Sequence, residues 1–145
     1  MYKFLISLLF LSGTFALGAQ EWHHQIDKVK ELAKQENKHI LLVFQGSDWC
    51  APCMKLERDV WESEEFKIFA TENLVLLKAD FPRKKKNALS KEQITHNEQL
   101  AEQYNTQGYF PLVLVLNDDG KVLGSTAYKK LSTEDYIQLL TSFIQ

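Results

Sequence analysis

The run from His39 to Phe44 constrains the fold of this chain more than any other segment, because it is an almost continuous series of apolar residues. A strand with one solvated face alternates apolar and polar residues, whereas a continuous apolar run suits a strand that is covered on both faces. The sequence therefore predicts a central strand here, with helices packed on both sides of its sheet. The chain has 145 residues, 45% of them hydrophobic, which suits one compact domain.

The hydrophobic period elsewhere in the chain alternates between helical and extended patterns. Helices are predicted at 22–35, at 50–71 with a kink near Trp61, at 91–104, and after the capping residue Ser132. Further strands are predicted at 74–79, 111–116 and 121–124. The expected fold is α/β, with a central mixed β-sheet of about four strands flanked by helices.

The N-terminal segment has the order of a secretory signal peptide: Lys3, then an apolar run, then small residues that include Ala16 and Gly18. We expect a signal peptide over 1–18 and a single domain over 19–145. A membrane anchor is the alternative, but the apolar stretch is shorter than the about 18 residues that a spanning helix needs. We therefore expect an exported protein, periplasmic or secreted, without stable membrane insertion after processing.

The formal net charge of −2 at pH 7 gives no reason to expect a nucleic-acid partner. One dense basic run, Arg83 to Lys86, interrupts the otherwise mixed charge pattern. Short charge runs are usually solvated, so we interpret this one as a solvated loop. A docking patch for an acidic partner is the alternative.

Cys50 and Cys53 are predicted at the start of the second helix, with Pro52 in the first turn, where its missing N–H does no harm. Their Cα atoms should lie about 5 to 5.5 Å apart, within the range that a disulfide accepts. The unpaired N–H groups at the helix start favour the thiolate of Cys50, which is then the attacking sulfur. Cys53 is more shielded and is expected to resolve the mixed disulfide.

Two structural interpretations of the cysteine pair compete with redox chemistry. A purely stabilising bridge is common in exported proteins, but closing so short a loop removes only about 2 kcal/mol of unfolded-state entropy, against about 4.7 kcal/mol for a 100-residue loop. Half of a zinc site would need two more ligands, and none of the four histidines has metal-ligand spacing to a partner. We therefore expect redox exchange, with no metal and no bound organic cofactor.

The segment from Val43 to Lys55, which contains Trp49-Cys50-Ala51-Pro52-Cys53, resembles the thioredoxin superfamily. In that superfamily an apolar strand leads into Trp-Cys-x-x-Cys-Lys or a near variant. Phe110-Pro111 is a second match, at the place where thioredoxin-like folds have a cis-proline that faces the active-site disulfide. The resemblance implies a thioredoxin-like fold from about Trp22 onward. It extends to small exported thioredoxin-like proteins and to the periplasmic thioredoxin-like domain of the transmembrane thiol reductant carrier.

The resemblance implies that Trp49, Phe110 and Pro111 bind the substrate. Trp49 would cover the disulfide, and Phe110 would present its side chain and backbone to a bound peptide in the manner of strand addition. Thioredoxins usually keep a glycine shortly before the last helix, and residues 127–130 of this chain contain none. The groove for partner chains is therefore expected to be narrower or differently used.

The resemblance also implies that Glu57 accepts a proton from the active-site thiols. Cytoplasmic thioredoxin uses a buried aspartate for this, and the corresponding residue here is Phe44, which does not transfer protons. Asp48 or water are the other candidates. The alternative for Glu57 is a solvated helix charge that pairs with Lys55 or Arg58.

The predicted function is that of a thiol-disulfide oxidoreductase with the catalytic residues Cys50, Cys53 and Glu57. Its partners would be exported protein thiols or disulfides and an upstream redox partner, and we expect a monomer. Reductant, oxidant and isomerase share this chemistry, and reductase activity is favoured among them. The alternative is a peptide-binding thioredoxin-like module in which the cysteines form a non-catalytic local disulfide.

Overall fold

The computed structural model describes residues 20–145, so the predicted signal peptide over 1–18 lies outside the described residues. The strands are β1 (Trp22–His23), β2 (His39–Gln45), β3 (Leu74–Asp80), β4 (Leu112–Leu116) and β5 (Val122–Thr126). The α-helices are α1 (Ile26–Glu36), α2 (Ala51–Leu56), α3 (Glu64–Asn73), α4 (Lys91–Tyr104) and α5 (Thr133–Ile144). None of the helices in this part of the chain is long and apolar enough to cross a membrane.

One mixed sheet, with the strand order β1-β3-β2-β4-β5, forms the centre of the molecule. β2 pairs in parallel with β3 and antiparallel with β4. The apolar run therefore forms the middle strand, as its composition predicts. The sheet has five strands instead of the expected four or so, because β1 adds a short parallel edge to β3 at Trp22 and His23.

The first helix begins at Ile26, not at Trp22 as its periodicity predicts. The spacing of the apolar residues fits a helix throughout, but the backbone of Trp22 pairs with Leu76 of β3. The Trp22 ring packs edge-on against Trp61, with their centroids 6.0 Å apart. The helix ends at Asn37, as predicted, in the left-handed conformation (φ 52°) that asparagine tolerates.

The side chains of β2 alternate between two hydrophobic clusters. Leu41 and Val43 belong to the cluster formed with α2, α3 and α5. Ile40, Leu42 and Phe44 belong to the cluster formed with α1 and α4. All five are fully or almost fully buried, so both faces of the central strand are covered, as the sequence predicts.

The predicted helix at 50–71 is divided close to the expected kink. α2 continues into a π-helical turn, Glu57–Trp61, and α3 begins only at Glu64. Ser63 caps α3 by accepting a hydrogen bond from the N–H of Phe66 at 3.2 Å. The interruption turns Trp61 into the core, where it is 1% exposed.

Candidate active site

The cysteine pair follows the carboxyl end of β2 after a short loop, Gly46 to Trp49. The N–H groups of Trp49 and Cys50 both donate to the carbonyl of Gly46, at 3.3 and 2.9 Å. This turn places Cys50 at the N-cap of α2, with extended backbone (φ −91°, ψ 99°). The first cysteine therefore stands where the central strand ends and the helix begins.

Cys50 and Cys53 form a disulfide, with their Cα atoms 5.2 Å apart, inside the predicted interval. The N–H of Cys53 donates to the Sγ atom of Cys50 at 3.3 Å. Pro52 occupies the first turn of α2, as predicted. Each cysteine is 4% exposed, so the expectation that Cys53 is the more shielded of the two is wrong. Ala51 and Pro52 between them are exposed. The helix start therefore directs a hydrogen-bond donor at the first sulfur.

Trp49 is held by contacts on several sides. Its Nε1 donates to the carbonyl of Phe81 at 2.7 Å, and the guanidinium carbon of Arg83 lies 3.8 Å from the ring centroid. A Cβ atom at Gly46 would lie 2.1 Å from the nearest ring atom, so the indole uses space that only glycine leaves free. These contacts fix the residue that immediately precedes Cys50.

The Phe110–Pro111 peptide bond is cis, as the resemblance predicts. β4 runs antiparallel to β2 with Leu112 opposite Phe44. Pro111, just before β4, therefore lies at the same end of the sheet as the carboxyl end of β2, where the cysteine loop begins. The Phe110 ring packs against Trp49 with their centroids 5.4 Å apart. The structure thus packs Phe110 against Trp49, the residue that precedes Cys50, and the role of Trp49, Phe110 and Pro111 in substrate binding stays a prediction.

Glu57 makes its ion pair with Lys78, whose Nζ donates to the carboxylate at 3.0 Å, and not with Lys55 or Arg58. Glu57 and Cys53 line the same cavity of about 350 Å³. Glu57 and the second cysteine therefore border one space that is large enough for water. Proton transfer between them stays a prediction.

Lys78 is a site residue that the sequence analysis missed. Its side chain is 14% exposed, and its ammonium lies 4.3 Å from the ring centroid of Trp22. The sequence does contain a signal for it, because Lys78 interrupts the apolar run of 74–79. A nearly buried ammonium requires a carboxylate partner, so this position indicates an ion pair. The sequence does not tell which carboxylate that is, and the structure assigns Glu57.

Asp48, the other candidate for the proton acceptor, is engaged elsewhere by hydrogen bonds. Its carboxylate accepts hydrogen bonds at 2.9 Å from the backbone N–H groups of Arg83 and Lys84 and from the side-chain amide of Asn87. These hydrogen bonds lower the pKa of Asp48 from 3.8 to about 2; the bond from the Arg83 N–H has the largest effect, and the bond from the Asn87 amide the next largest. The Asp48 carboxylate is therefore a weak base, and it fastens the connection that follows β3.

We expect the connection at 83–87 to loosen only in strong acid. The pKa of Asp48 in the folded protein, about 2, lies below its ordinary value of 3.8. The carboxylate therefore stabilises the folded state above pH 3.8, and this contribution is lost as the pH falls through about 2. NMR should show the Arg83 and Lys84 amide shifts titrating near pH 2, and Asp48→Asn should abolish that titration. A midpoint near 3.8 would contradict the assignment.

Asp80 ties the same two segments together. It accepts from the N–H of Ser47 at 2.9 Å and from the Ser47 hydroxyl at 2.6 Å. These residues are 33 positions apart, so no local pattern pairs them. The loop before Cys50 and the connection after β3 are therefore held as one unit by Asp80, Asp48 and the Trp49 indole.

Comparisons with known proteins agree with this fold and site. A family model described as thioredoxin-like matches residues 21–118. Disulfide bond reductase DsbH of Chlamydia pneumoniae is 35% identical over 115 residues, which are 79% of this chain and 68% of that protein. A solved structure named DsbH Oxidoreductase superposes with a TM-score of 0.78 and 32% identity, over 86% of this chain and 83% of that one.

A more distant solved structure is similar in fold alone. It is a disulphide isomerase from Xylella fastidiosa, with a TM-score of 0.62 and 22% identity, over 83% of this chain and 88% of that one. The arrangement of sheet and helices thus occurs in proteins named for different redox activities.

Proposed function

This chain belongs to the thioredoxin-like family, and we propose that it reduces disulfides of exported proteins through Cys50 and Cys53. It is a thiol-disulfide oxidoreductase, since the family match accompanies a Cys-x-x-Cys disulfide at a helix start. The observation that carries the proposal is the N–H of Cys53 directed at the sulfur of Cys50, 3.3 Å away. This donor stabilises the thiolate that attacks a disulfide.

In the reductive direction both cysteines begin as thiols, and Cys50 reacts as the thiolate. Its sulfur attacks one sulfur of the substrate disulfide, whose S–S bond breaks, and the leaving thiolate takes up a proton. Cys53 then loses its proton, attacks the Cys50 sulfur and releases the second substrate thiolate. The substrate gains two electrons and two protons, and the protein is left with the Cys50–Cys53 disulfide, which an upstream dithiol donor reduces again.

Glu57 is proposed as the acceptor of the Cys53 proton. Both residues line one cavity, and the Lys78 ammonium, 3.0 Å from the carboxylate, holds Glu57 there. Phe44 is fully buried on β2 at the place of the usual aspartate, and it carries no proton. The hydrogen bonds that Asp48 accepts from the connection after β3 favour Glu57 or water over Asp48 for this step.

Glu57→Gln should slow the resolution of the mixed disulfide by about a hundredfold at neutral pH, the lower end of what a positioned proton acceptor contributes. Stopped-flow measurement of this step across pH should also show the rate of the variant rising with hydroxide instead of levelling off. Glu62→Gln is the matched control, because Glu62 lines the same cavity but is exposed. Equal rates for the two variants would leave water as the acceptor.

Two features support reduction over oxidation. The relative that aligns with 79% of this chain is named a disulfide bond reductase. Glu57 as a proton acceptor would activate Cys53, and the attack by Cys53 is what completes the reduction of a substrate. The fold does not choose a direction by itself, since it is also that of a protein named an isomerase.

The reduction potential of the cysteine pair tests the direction. The protein is equilibrated with glutathione buffers, and the ratio of oxidised to reduced protein is measured. The reduction potential obtained should be near −270 mV, as for a reductant. A value near −120 mV would mark an oxidant and overturn the proposed direction while leaving the exchange chemistry in place. A pair that does not equilibrate with glutathione would overturn both.

Export is the remaining part of the proposal. The signal-peptide order of residues 1–18 supports it, and it would place the monomer in the periplasm or outside the cell. Its partners would then be exported proteins with disulfides and an upstream dithiol donor. The alternative is a peptide-binding module with a non-catalytic disulfide, and that alternative predicts full function from the Cys50→Ser variant.

A further inference from the structure

The segment of four consecutive basic residues, Arg83 to Lys86, contacts the two residues that precede Cys50, although it is remote from them in sequence. We refer to this segment as the basic loop. Its backbone is fastened at Arg83 and Lys84 by the carboxylate of Asp48, and Arg83 lies over the Trp49 ring. Asp48 and Trp49 directly precede Cys50. The basic loop is therefore a fixed neighbour of the redox centre, not a free connection.

The side chains of the basic loop are exposed and have no acidic partner. All four residues are exposed to solvent, and none makes a salt bridge with any carboxylate in residues 20–145. Asp48 binds the loop through backbone N–H groups and the amide of Asn87, so it leaves the ammonium groups free. The loop thus presents a positive patch on a chain whose net charge is −2.

The loop is exposed to solvent, as the sequence predicts, but its backbone is also fastened to Asp48. Like charges on consecutive residues repel one another, and the bonds to Asp48 hold them together beside Trp49. A protein that exchanges disulfides with Cys50 must bring its own sulfur to this place, so its flanking residues come within reach of the basic loop. Carboxylates on the partner would be attracted to the basic loop, which would speed the association. They would also fix the position of the partner in the complex.

We propose that the basic loop docks an acidic segment of the protein whose disulfide Cys50 exchanges. The inference rests on the proposed function for the identity of the partner, and it adds the chemistry by which that partner is recognised. A carboxylate paired with Arg83 would lie over the Trp49 indole, one residue from Cys50. Lys84, Lys85 and Lys86 would extend the contact away from the sulfurs along the partner chain.

A binding measurement without exchange tests the docking directly. The probes are two synthetic peptides in which serine replaces cysteine, one with flanking Asp and Glu residues and one with flanking Ser and Gln. NMR titration of the protein should show saturable shifts of the 83–87 amides with the acidic peptide only. The dissociation constant should rise about three- to tenfold in Lys85→Gln/Lys86→Gln, and the shifts should vanish between about 0.01 M and about 1 M salt.

Lys34→Gln/Lys121→Gln is the matched control, because it removes the same charge at the β4–β5 turn. Lys34 pairs there with Asp119, at the end of β4 remote from Phe110 and Pro111. The control should bind the acidic peptide as the unchanged protein does. Equal shifts with both peptides, or an equal loss in the control, would overturn the docking site.

A kinetic measurement separates this inference from the proposed function. The reduced protein is mixed with the same two peptides, now carrying an intrapeptide disulfide. Faster reduction of the acidic peptide, lost in Lys85→Gln/Lys86→Gln while the neutral peptide keeps its rate, supports the docking site. Equal rates for both peptides would overturn the docking site and leave the proposed function standing. If neither peptide is reduced, the proposed function fails, and the titration alone decides the docking site.

Discussion

Replacing Cys50 with serine is expected to reduce disulfide exchange to the rate measured without protein. A serine hydroxyl stays protonated at neutral pH, so the N–H of Cys53, which donates to the Cys50 sulfur at 3.3 Å, has no anion to stabilise. Cys53 is the one thiol that remains, because the chain has two cysteines, and the N–H at the helix start is directed at residue 50 and not at Cys53. The loss is measured as the rate at which a disulfide-bonded peptide is reduced, monitored by the appearance of its free thiols.

Cys53→Ser is the matched variant, and it should have the opposite signature. Cys50 still attacks, but nothing resolves the product, so a mixed disulfide with the substrate should accumulate and be visible by mass on a non-reducing gel. Cys50→Ser should form no such adduct, because the N–H at the helix start that stabilises a thiolate is directed at the side chain of residue 50 and not at Cys53. Adducts of equal yield from the two variants would contradict the assignment of Cys50 as the attacking sulfur. Full cellular function of Cys50→Ser would favour the binding module.

Trp61→Ala should lower the free energy of unfolding by about 3 to 5 kcal/mol, the usual cost of removing a large aromatic side chain from a core. Trp61 is 1% exposed, and its ring contacts Phe66 at 4.7 Å and Tyr136 at 5.7 Å between centroids. It joins the π-helical turn to α3 and α5, so the cavity would open below the helix that carries the cysteines. Urea unfolding of the oxidised protein, monitored by circular dichroism, measures the change.

Ile68→Ala is the control for that measurement. Ile68 lies on α3 close to Trp61 in sequence, but its side chain is 53% exposed. Its truncation should change the stability by no more than about 0.5 kcal/mol. If both variants lost the same stability, the effect would belong to α3 in general and not to the buried aromatic cluster.

Much of the fold was predictable because it depends on local patterns. The central strand followed from an apolar run, and the starts of α4 and α5 followed from Ser90 and Ser132, which accept N–H bonds from Gln93 and Asp135. The cis bond before Pro111 followed from a family resemblance and not from the residues themselves. Capping and periodicity act within a few positions, so a sequence is enough to show them.

β1 and the basic loop were not predictable in the same way. Trp22 fits the helical period, and only the free edge of β3 makes its backbone extended. The run from Arg83 to Lys86 fits a solvated loop, and only the tertiary structure shows that its backbone is bound to Asp48, two residues before Cys50. In both cases the deciding partner lies more than 30 residues away along the chain.

The Cys50-Ala51-Pro52-Cys53 sequence, placed between an apolar strand and a helix, by itself determined that a disulfide would form at a helix start. The cysteine spacing sets the Cα distance, and the proline is compatible with the first turn. Only the tertiary structure decided which charges surround that disulfide. It paired Glu57 with Lys78 at the cavity that Cys53 also lines, and it bound Asp48 to the connection after β3. Electrostatic environment depends on distance in space, and the distances were set when the sheet brought β2 and β3 together.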